Sequence, residues 1–95
     1  MAALLPIVGN PAASINVRIG AGVVFEKFAG QSAMAALVDR LGALARHEDA
    51  RVRADACHYL SLTGAPEARG YLERCQQDDD GTVREIAAES LQALG

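Results

Sequence analysis

Hydrophobic positions in the second half of the chain recur at spacings of three and four residues, as the buried face of a helix requires. Gly64 ends the first of these runs and Pro66 begins the next, since proline suits the first turn of a helix. An acidic turn, residues 78–81, precedes the last run. The three runs consist of Val52, Ala56, Tyr59, Leu60 and Thr63; of Ala68, Tyr71, Leu72 and Cys75; and of Val83, Ile86, Ala87, Ser90 and Leu91. Together with the apolar stretch before them, they predict four helices, near residues 32–46, 50–63, 66–77 and 82–94.

The same pattern occurs twice in the chain, thirty-one residues apart. The matching positions are Asp49 with Asp80, Val52 with Val83, Arg53 with Arg84, Ala56 with Ala87, Leu60 with Leu91, and Gly64 with Gly95. An aspartate before each helix can accept a backbone N–H bond as an N-cap, and the alanines are small enough for helices to approach closely. Because one helix pair cannot bury both of its faces, this repeat predicts stacked pairs that share a core.

The first thirty residues carry a different pattern. Ile15, Val17 and Ile19 alternate with polar residues, residues 20–22 are Gly-Ala-Gly, and a second β-rich run follows to residue 28. Alternation around a glycine turn is typical of a β-hairpin, which must pack on another element to be stable. We therefore predict a mainly α fold with an N-terminal segment, 1–30, that contains a β-hairpin, followed by helical repeats over 31–95.

The repeated motif D-x-x-V-R-x-x-A-x-x-x-L-x-x-x-G resembles the HEAT-repeat family, in particular short bacterial repeats of the phycobilin-lyase-like type. The resemblance covers residues 32–95 and implies a HEAT-like α-solenoid fragment in which each repeat is a pair of antiparallel helices, A and B. It implies a B helix near 32–46, a full A/B pair over 50–77 and an unpaired A helix over 82–94.

The resemblance also implies roles for individual residues. The positions that the family uses for turn caps and polar links between repeats match Asp49, Arg53, Asp80 and Arg84. In the family the B helices line the concave face, so the resemblance implies that a protein partner contacts Arg40, Glu67 and Arg74.

Length, composition and charge narrow the class of protein. With 95 residues, 51% hydrophobic and 22% charged, the chain predicts one small globular domain. A net charge of −3 provides no basic surface for nucleic acid, and no segment approaches the roughly 20 apolar residues of a membrane span. Two cysteines without a secretory signal predict reduced thiols in a cytoplasmic protein.

The pair His47-Glu48 is similar to the His-Glu pairs with which some HEAT-type hydroxylases bind two irons. In those proteins, however, the pair directly follows the position matched by Arg53, where this chain has Ala54-Asp55. We therefore predict an ordinary exposed turn at this pair and no iron site.

The acidic turn and the cysteines also favour structural interpretations. Residues 78–81 are similar to part of a calcium-binding loop, but Gln76 and Ala87 hold the first and last ligand positions, where acids are needed. Cys57 and Cys75 lie on or near buried stripes, where free cysteine behaves as a small hydrophobic residue. We predict no catalytic residue, no metal site and no cofactor.

Taken together, the patterns predict a non-catalytic protein-interaction module built from HEAT-like repeats. Two alternatives remain open. The order strand, glycine turn, strand, Gly30 and helix is similar to the C-terminal end of a thioredoxin-like domain, which would make the chain an accessory part of a thiol-redox protein. The other alternative is a lyase-like or chaperone-like HEAT protein that acts on a bound cofactor. An unpaired last helix with Ile86 and Leu91 on its apolar face also predicts weak self-association or continuation into a longer protein.

Overall fold

The computed structural model describes residues 5–9 and 15–94, and within these residues it consists of helices and turns without a strand. The helices are α1 (Leu5–Val8), α2 (Ile15–Lys27), α3 (Ser32–Ala35), α4 (Val38–Leu44), α5 (Ala50–Leu60), α6 (Glu67–Cys75) and α7 (Gly81–Leu94). Helix α7 packs on both α5 and α6, and α4 likewise packs on both. Helix α2 packs on α5 and α1. This arrangement confirms the predicted mainly helical fold.

Three of the four predicted helices are present with small differences at their ends, and the fourth is divided. The stretch predicted as one helix over 32–46 forms α3 and α4, separated by residues 36–37. Here the N–H of Leu37 donates to Met34 O at 2.9 Å, a tighter turn than that of an α-helix. Met34, Leu37 and Val38 are all buried on the two sides of this break, so the tight turn brings three apolar side chains into the core.

An aspartate cap begins α5 and another begins α7. Asp49 Oδ1 accepts a hydrogen bond from the backbone N–H of Arg51 at 2.8 Å. Asp80 Oδ1 accepts one from the N–H of Val83 at 3.0 Å. Each bond satisfies a donor that the first turn of a helix leaves unpaired. The two caps are thirty-one residues apart, so the repeat in the sequence is also a repeat in how helices begin.

Two glycines form the turns between successive helices of a pair. Gly30 precedes α3 with φ of 77°, and Gly64 follows α5 with φ of 66°, a left-handed conformation that favours glycine. The turns touch each other, because a Cβ on Gly64 would lie 3.5 Å from the Cα of Gly30. In addition, the N–H of Gly30 donates to Leu62 O at 2.8 Å. A backbone hydrogen bond therefore connects the two successive turns.

The hydrophobic core is one cluster to which helices α1 to α7 all contribute. Ala56 and Ala87 are completely buried, as the close approach of α5 and α7 requires. Thr63 is also buried, and its hydroxyl both donates to Leu60 O at 2.8 Å and accepts from the N–H of Ala65 at 3.2 Å. The largest fully buried side chains are Phe25, Met34, Leu41, Val52, Cys57, Leu60, Thr63, Leu72 and Val83.

The prediction of a β-hairpin over residues 15–28 was wrong, because residues 15–27 form the helix α2. Phe25 of this helix is fully buried, with its ring centroid 4.7 Å from that of Tyr59. Gly22 lies against the same tyrosine, since a Cβ there would be 3.0 Å from the phenol oxygen. A helix satisfies its backbone hydrogen bonds internally, whereas an isolated hairpin exposes two strand edges. Gly22, which was predicted as part of a turn, therefore allows α2 to approach α5.

The helix at residues 15–27 also affects the alternative function that was derived from the predicted hairpin, an accessory part of a thiol-redox protein. The similarity to a thioredoxin-like domain depended on the order strand, turn, strand and helix, and residues 15–44 instead contain three successive helices. A thioredoxin-like remnant therefore has no basis in this part of the structure.

The capping role of Asp80 can be tested by mutation. Asp80→Ala removes the acceptor for the N–H of Val83, and we expect the free energy of unfolding to fall by about 0.5 to 2 kcal/mol. Asp79→Ala is the matched control, because the side chain of Asp79 is 95% exposed and should change stability by less than about 0.5 kcal/mol. Urea unfolding followed by circular dichroism measures both. Equal unfolding midpoints for the two variants would contradict the cap.

Candidate functional site

A groove with a cavity of about 520 Å³ opens between α4 and α6 and the turns that follow these helices. We call it the α4–α6 groove. Its two helices are those that the family resemblance assigns as B helices, so it lies on the face predicted for partner binding. Its lining residues are Gly42, Ala45, Arg46, His47, Glu48, Arg53, Tyr71, Arg74, Cys75 and Asp78.

One end of the groove is formed by the side chain of Arg53, which joins two turns of the chain. Its Nε donates to Asp78 Oδ2 at 2.9 Å, and its Nη2 donates to Asp78 Oδ1 at 3.2 Å. Its Nη1 donates to the backbone oxygens of His47 at 2.8 Å and Glu48 at 3.0 Å. The side chains of Arg53 and Asp78 are only 15% and 13% exposed. This arrangement, which we call the Arg53 clamp, links the turn before α5 to the turn before α7.

The clamp changes the pKa values of both its charged groups. The hydrogen bond to Asp78 raises the pKa of Arg53 above its ordinary value. Partial burial acts to raise the pKa of Asp78, but the N–H of Asp80 and the Arg53 guanidinium outweigh it and leave that pKa below its ordinary value. The ion pair is therefore charged at neutral pH.

Arg84 repeats part of this arrangement one repeat later. Its Nη1 donates to the backbone oxygen of Asp78 at 2.6 Å, as the Nη1 of Arg53 does to His47, in each case six residues earlier in the chain. In the described residues no carboxylate pairs with Arg84, whereas Asp78 pairs with Arg53. Each arginine thus donates to a backbone oxygen in the turn before its own helix. Only Arg53 also binds a carboxylate, that of Asp78 in the turn before α7.

The side wall of the groove depends on a close approach of α4 and α6. Tyr71 lies across Gly42, and a Cβ added to this glycine would overlap the tyrosine ring. The Tyr71 hydroxyl donates to Asp39 Oδ1 at 3.0 Å, and this bond raises the pKa of Tyr71. A glycine on one helix and a tyrosine on the other therefore set the width of the groove.

The rim of the groove carries two exposed cations, Arg46 and Arg74. Within residues 5–9 and 15–94, neither makes an ion pair. The acids that line the groove are Asp78, which is held by Arg53, and Glu48, which is exposed; Asp39, which accepts from Tyr71, and Asp79 lie beside the lining. The lining itself therefore carries two exposed cations and one exposed acid.

The three predicted partner-binding residues lie in different places. Arg74 lines the α4–α6 groove. Glu67 is exposed in the first turn of α6. Arg40 is exposed too, but it lines a separate depression beside α1, together with Leu5, Pro6, Gly9, Ala43 and Leu44. The structure thus brings only Arg74 of the three into the groove.

Sequence reasoning missed two residues of the groove, Arg46 and Tyr71. Arg46 is the last residue before an acidic turn, and its position at the end of a B helix was an available signal. Tyr71 was assigned to the buried stripe of α6, but it is half-buried, because its ring bridges to Gly42 and its hydroxyl reaches solvent. Spacing along one helix could not show the glycine opposite it.

The two cysteines lie close to the clamp. Cys57 is four residues after Arg53 on α5, and Cys75 is three residues before Asp78 at the end of α6. Both are free thiols and both are buried. The Cys75 thiol and burial raise the pKa of Cys57.

The polar groups of the turns are engaged in structural contacts. His47 Nδ1 accepts a hydrogen bond from the N–H of Asp49 at 3.0 Å, and Asp78 Oδ1 accepts one from the N–H of Asp80 at 2.9 Å. In the described part of the chain, no three His, Cys, Asp or Glu side chains are grouped so that they could hold a metal ion. None of the described helices is long and apolar enough to cross a membrane.

A family model for HEAT repeats matches residues 1–92 of the chain. The matched range includes the residues of α2, in the part of the sequence where the repeat motif is not visible. No curated protein and no solved structure gives a significant match.

The Arg53 clamp should make stability depend on acidic pH. Because the pKa of Asp78 is lower in the folded than in the unfolded state, its contribution is complete above the unfolded value of about 3.9 and is lost as pH falls through the folded value. Asp78→Asn should reduce the free energy of unfolding at pH 7 by about 1 to 3 kcal/mol. Between about pH 5 and pH 2, the free energy of unfolding of this variant should fall less than that of the wild type.

Urea unfolding at a series of pH values measures this effect. Asp79→Asn is the control, since Asp79 lies 3.4 Å from Arg53 but is 95% exposed, and its variant should keep the wild-type pH dependence. If Asp78→Asn and the wild type lost stability equally on acidification, the clamp would not be the source of the pH dependence.

Two glycine variants test the close approach of α4 and α6. Gly70→Ala on α6 places a methyl group in open space and should stabilise by about 0.5 to 1 kcal/mol through helix propensity. Gly42→Ala should destabilise relative to Gly70→Ala by about 1 to 3 kcal/mol, because the overlap with Tyr71 outweighs the same gain. Unfolding measures stability, and ultraviolet titration should show the pKa of Tyr71 moving towards its ordinary value in Gly42→Ala. Equal stabilisation by both changes would contradict the close approach.

Proposed function

Because the chain belongs to the HEAT-repeat family, we propose that it is a non-catalytic protein-interaction module whose α4–α6 groove binds an acidic segment of a partner protein. Stacked helical repeats present continuous surfaces that suit extended protein ligands. The observation that carries the proposal is the pair of exposed rim arginines, Arg46 and Arg74, on either side of a groove that contains the half-buried ring of Tyr71.

The charge distribution supports an acidic partner. The whole chain carries a net charge of −3, so an acidic segment would be repelled by most of its surface. Among the residues that line the groove, Arg53 and Asp78 neutralise each other, which leaves Arg46 and Arg74 against the exposed acid Glu48, while Asp39 beside the lining is engaged by the Tyr71 hydroxyl. Complementary charge of this kind favours one orientation of the partner and speeds its association. Tyr71 adds an aromatic surface of the type enriched at interfaces.

The hydrogen bonds in the groove favour binding over catalysis. A catalytic or cofactor-dependent site needs polar groups that are free to converge on a reacting ligand. Here Arg53 is engaged by Asp78 and by two carbonyl groups, and the Tyr71 hydroxyl is engaged by Asp39. This supports a non-enzymatic role over the lyase-like alternative. The phycobilin-lyase-like subtype, the cytoplasmic location and weak self-association stay predictions from the sequence.

The proposal can be tested with the purified chain and a displayed library of random peptides. We expect selection to enrich peptides that contain several Asp or Glu residues. Fluorescence anisotropy with a selected peptide should then show that Arg74→Glu weakens binding at least about tenfold, which corresponds to about 1.4 kcal/mol. High salt should weaken binding as well, since the rim charges are exposed.

Arg69→Glu is the matched control. Arg69 is also exposed on α6, but it does not line the α4–α6 groove. Arg69→Glu changes the net charge by the same amount as Arg74→Glu. The affinity of the Arg69→Glu variant for the selected peptide should stay within about twofold of the wild-type affinity. This change is well below the loss expected when a contact residue is replaced. Enrichment of neutral or basic peptides, or equal losses for Arg74→Glu and Arg69→Glu, would refute the acidic partner at this groove.

A further inference from the structure

A second groove lies between α5 and α7, and it shares no residue with the α4–α6 groove. Its cavity is about 540 Å³, so the two grooves are similar in size. We call it the α5–α7 groove. Its lining residues are Ala54, Asp55, His58, Ser61, Leu62, Ile86, Glu89, Ser90 and Ala93. The binding function proposed above uses none of them.

Most of the surface of this groove is apolar. Leu62 and Ile86 are half-buried, and both pack against the hydrophobic core from the side of the groove. Ala54 is buried beside them, and Ala93 is exposed. A ligand that covers these side chains removes apolar area from water, which is the main favourable term in protein association.

The walls of the groove determine what kind of segment fits it. Both walls are formed mainly by helices, whose backbone groups are bonded internally, so an extended segment finds no strand edge to pair with. A helix satisfies its own backbone and can place an apolar face in such a groove. On α7 the lining runs over residues 86–93, a length of about 10 Å, which matches about two turns of a bound helix.

The charged groups of the groove are acidic on both walls. Asp55 on α5 is half-buried, and Glu89 on α7 is exposed. Among the described residues, no lysine or arginine lines the groove. The lining group that can become positive is His58, and its Nε2 lies 3.6 Å from Glu26 Oε1, which brings a third acid beside the groove. The groove therefore attracts cationic side chains.

The two arginines of α5 are paired with acids outside this groove. Arg51 Nη2 lies 3.5 Å from Asp49 Oδ2, and Arg53 is held by Asp78. Neither arginine belongs to the lining. The α5–α7 groove thus has the opposite charge from the α4–α6 groove, where the exposed cations outnumber the exposed acid.

We propose that the α5–α7 groove binds a basic amphipathic helix of a partner protein, whose aliphatic side chains cover Leu62 and Ile86 and whose Lys or Arg side chains face Asp55 and Glu89. Apolar residues three and four apart, with cations on both flanks, complement the floor and the two walls. This site is independent of the acidic segment proposed for the α4–α6 groove, because it uses different residues and the opposite charge.

Two labelled peptides test the proposal on the intact 95-residue chain. One is a peptide of about 18 residues, long enough to form a helix, with leucines three and four apart and lysines elsewhere. The other has glutamine at every lysine position. Fluorescence anisotropy at about 0.15 M salt, which largely screens distant charges, should show that the lysine peptide binds at least about tenfold more tightly. Equal affinities for the two peptides would overturn the proposal.

A pair of glutamate variants locates the bound peptide. Glu89→Lys places a cation on the wall of the groove and should weaken binding of the lysine peptide at least about tenfold. Glu73→Lys changes the net charge by the same amount, but Glu73 is exposed on α6 outside this groove, so its variant should stay within about twofold of the wild type. Equal losses for the two variants would refute binding at this site.

Ile86→Ala tests the apolar floor. It should weaken binding of the lysine peptide at least about fivefold, because a half-buried aliphatic side chain that the helix covers is shortened. Circular dichroism shows whether the variant is folded, and an unchanged affinity in the folded variant would contradict the proposed contact. If Ile86→Ala does not fold, the comparison of Glu89→Lys with Glu73→Lys decides the matter.

Discussion

The structure depends on how a mostly buried guanidinium satisfies its donors. Arg53 is 15% exposed, and a charge with so little solvent must find partners within the protein. It finds a carboxylate on Asp78 and two carbonyl oxygens in the turn before α5. Since these partners belong to turns on either side of the α5–α6 pair, satisfying one side chain positions three helices. The end of the groove is placed by the same contacts.

The proposed binding surface and the core are therefore not separate parts of this small domain. The width of the groove depends on Tyr71 lying across Gly42, and these residues belong to the same two helices that carry Leu41 and Leu72 into the core. A change that separates α4 from α6 should affect both the shape of the surface and stability. In a domain of this size, which buries only about 60 to 65% of its unfolded surface, little stability is available to offset such a change.

Local features of the fold could be predicted from sequence, and features that depend on distant partners could not. The caps at Asp49 and Asp80 act over two or three residues, so spacing alone indicates them. Helix α2 was missed because its buried side chain, Phe25, packs on Tyr59, thirty-four residues later. The groove was missed in part for the same reason: Tyr71 meets Gly42 across twenty-nine residues, and no periodicity within one helix contains that information.

The contact between the two glycine turns provides a backbone amide whose hydrogen exchange reports on local opening of the fold. The amide of Gly30 is bound to the carbonyl of Leu62 in the following turn, and its exchange with solvent deuterium requires that bond to open. No side chain takes part, so substitutions elsewhere can change the lifetime of the bond without removing it. The exchange rate of this single backbone hydrogen therefore measures how often the first helices separate from α5 and its turn, in the unlabelled and unmodified chain.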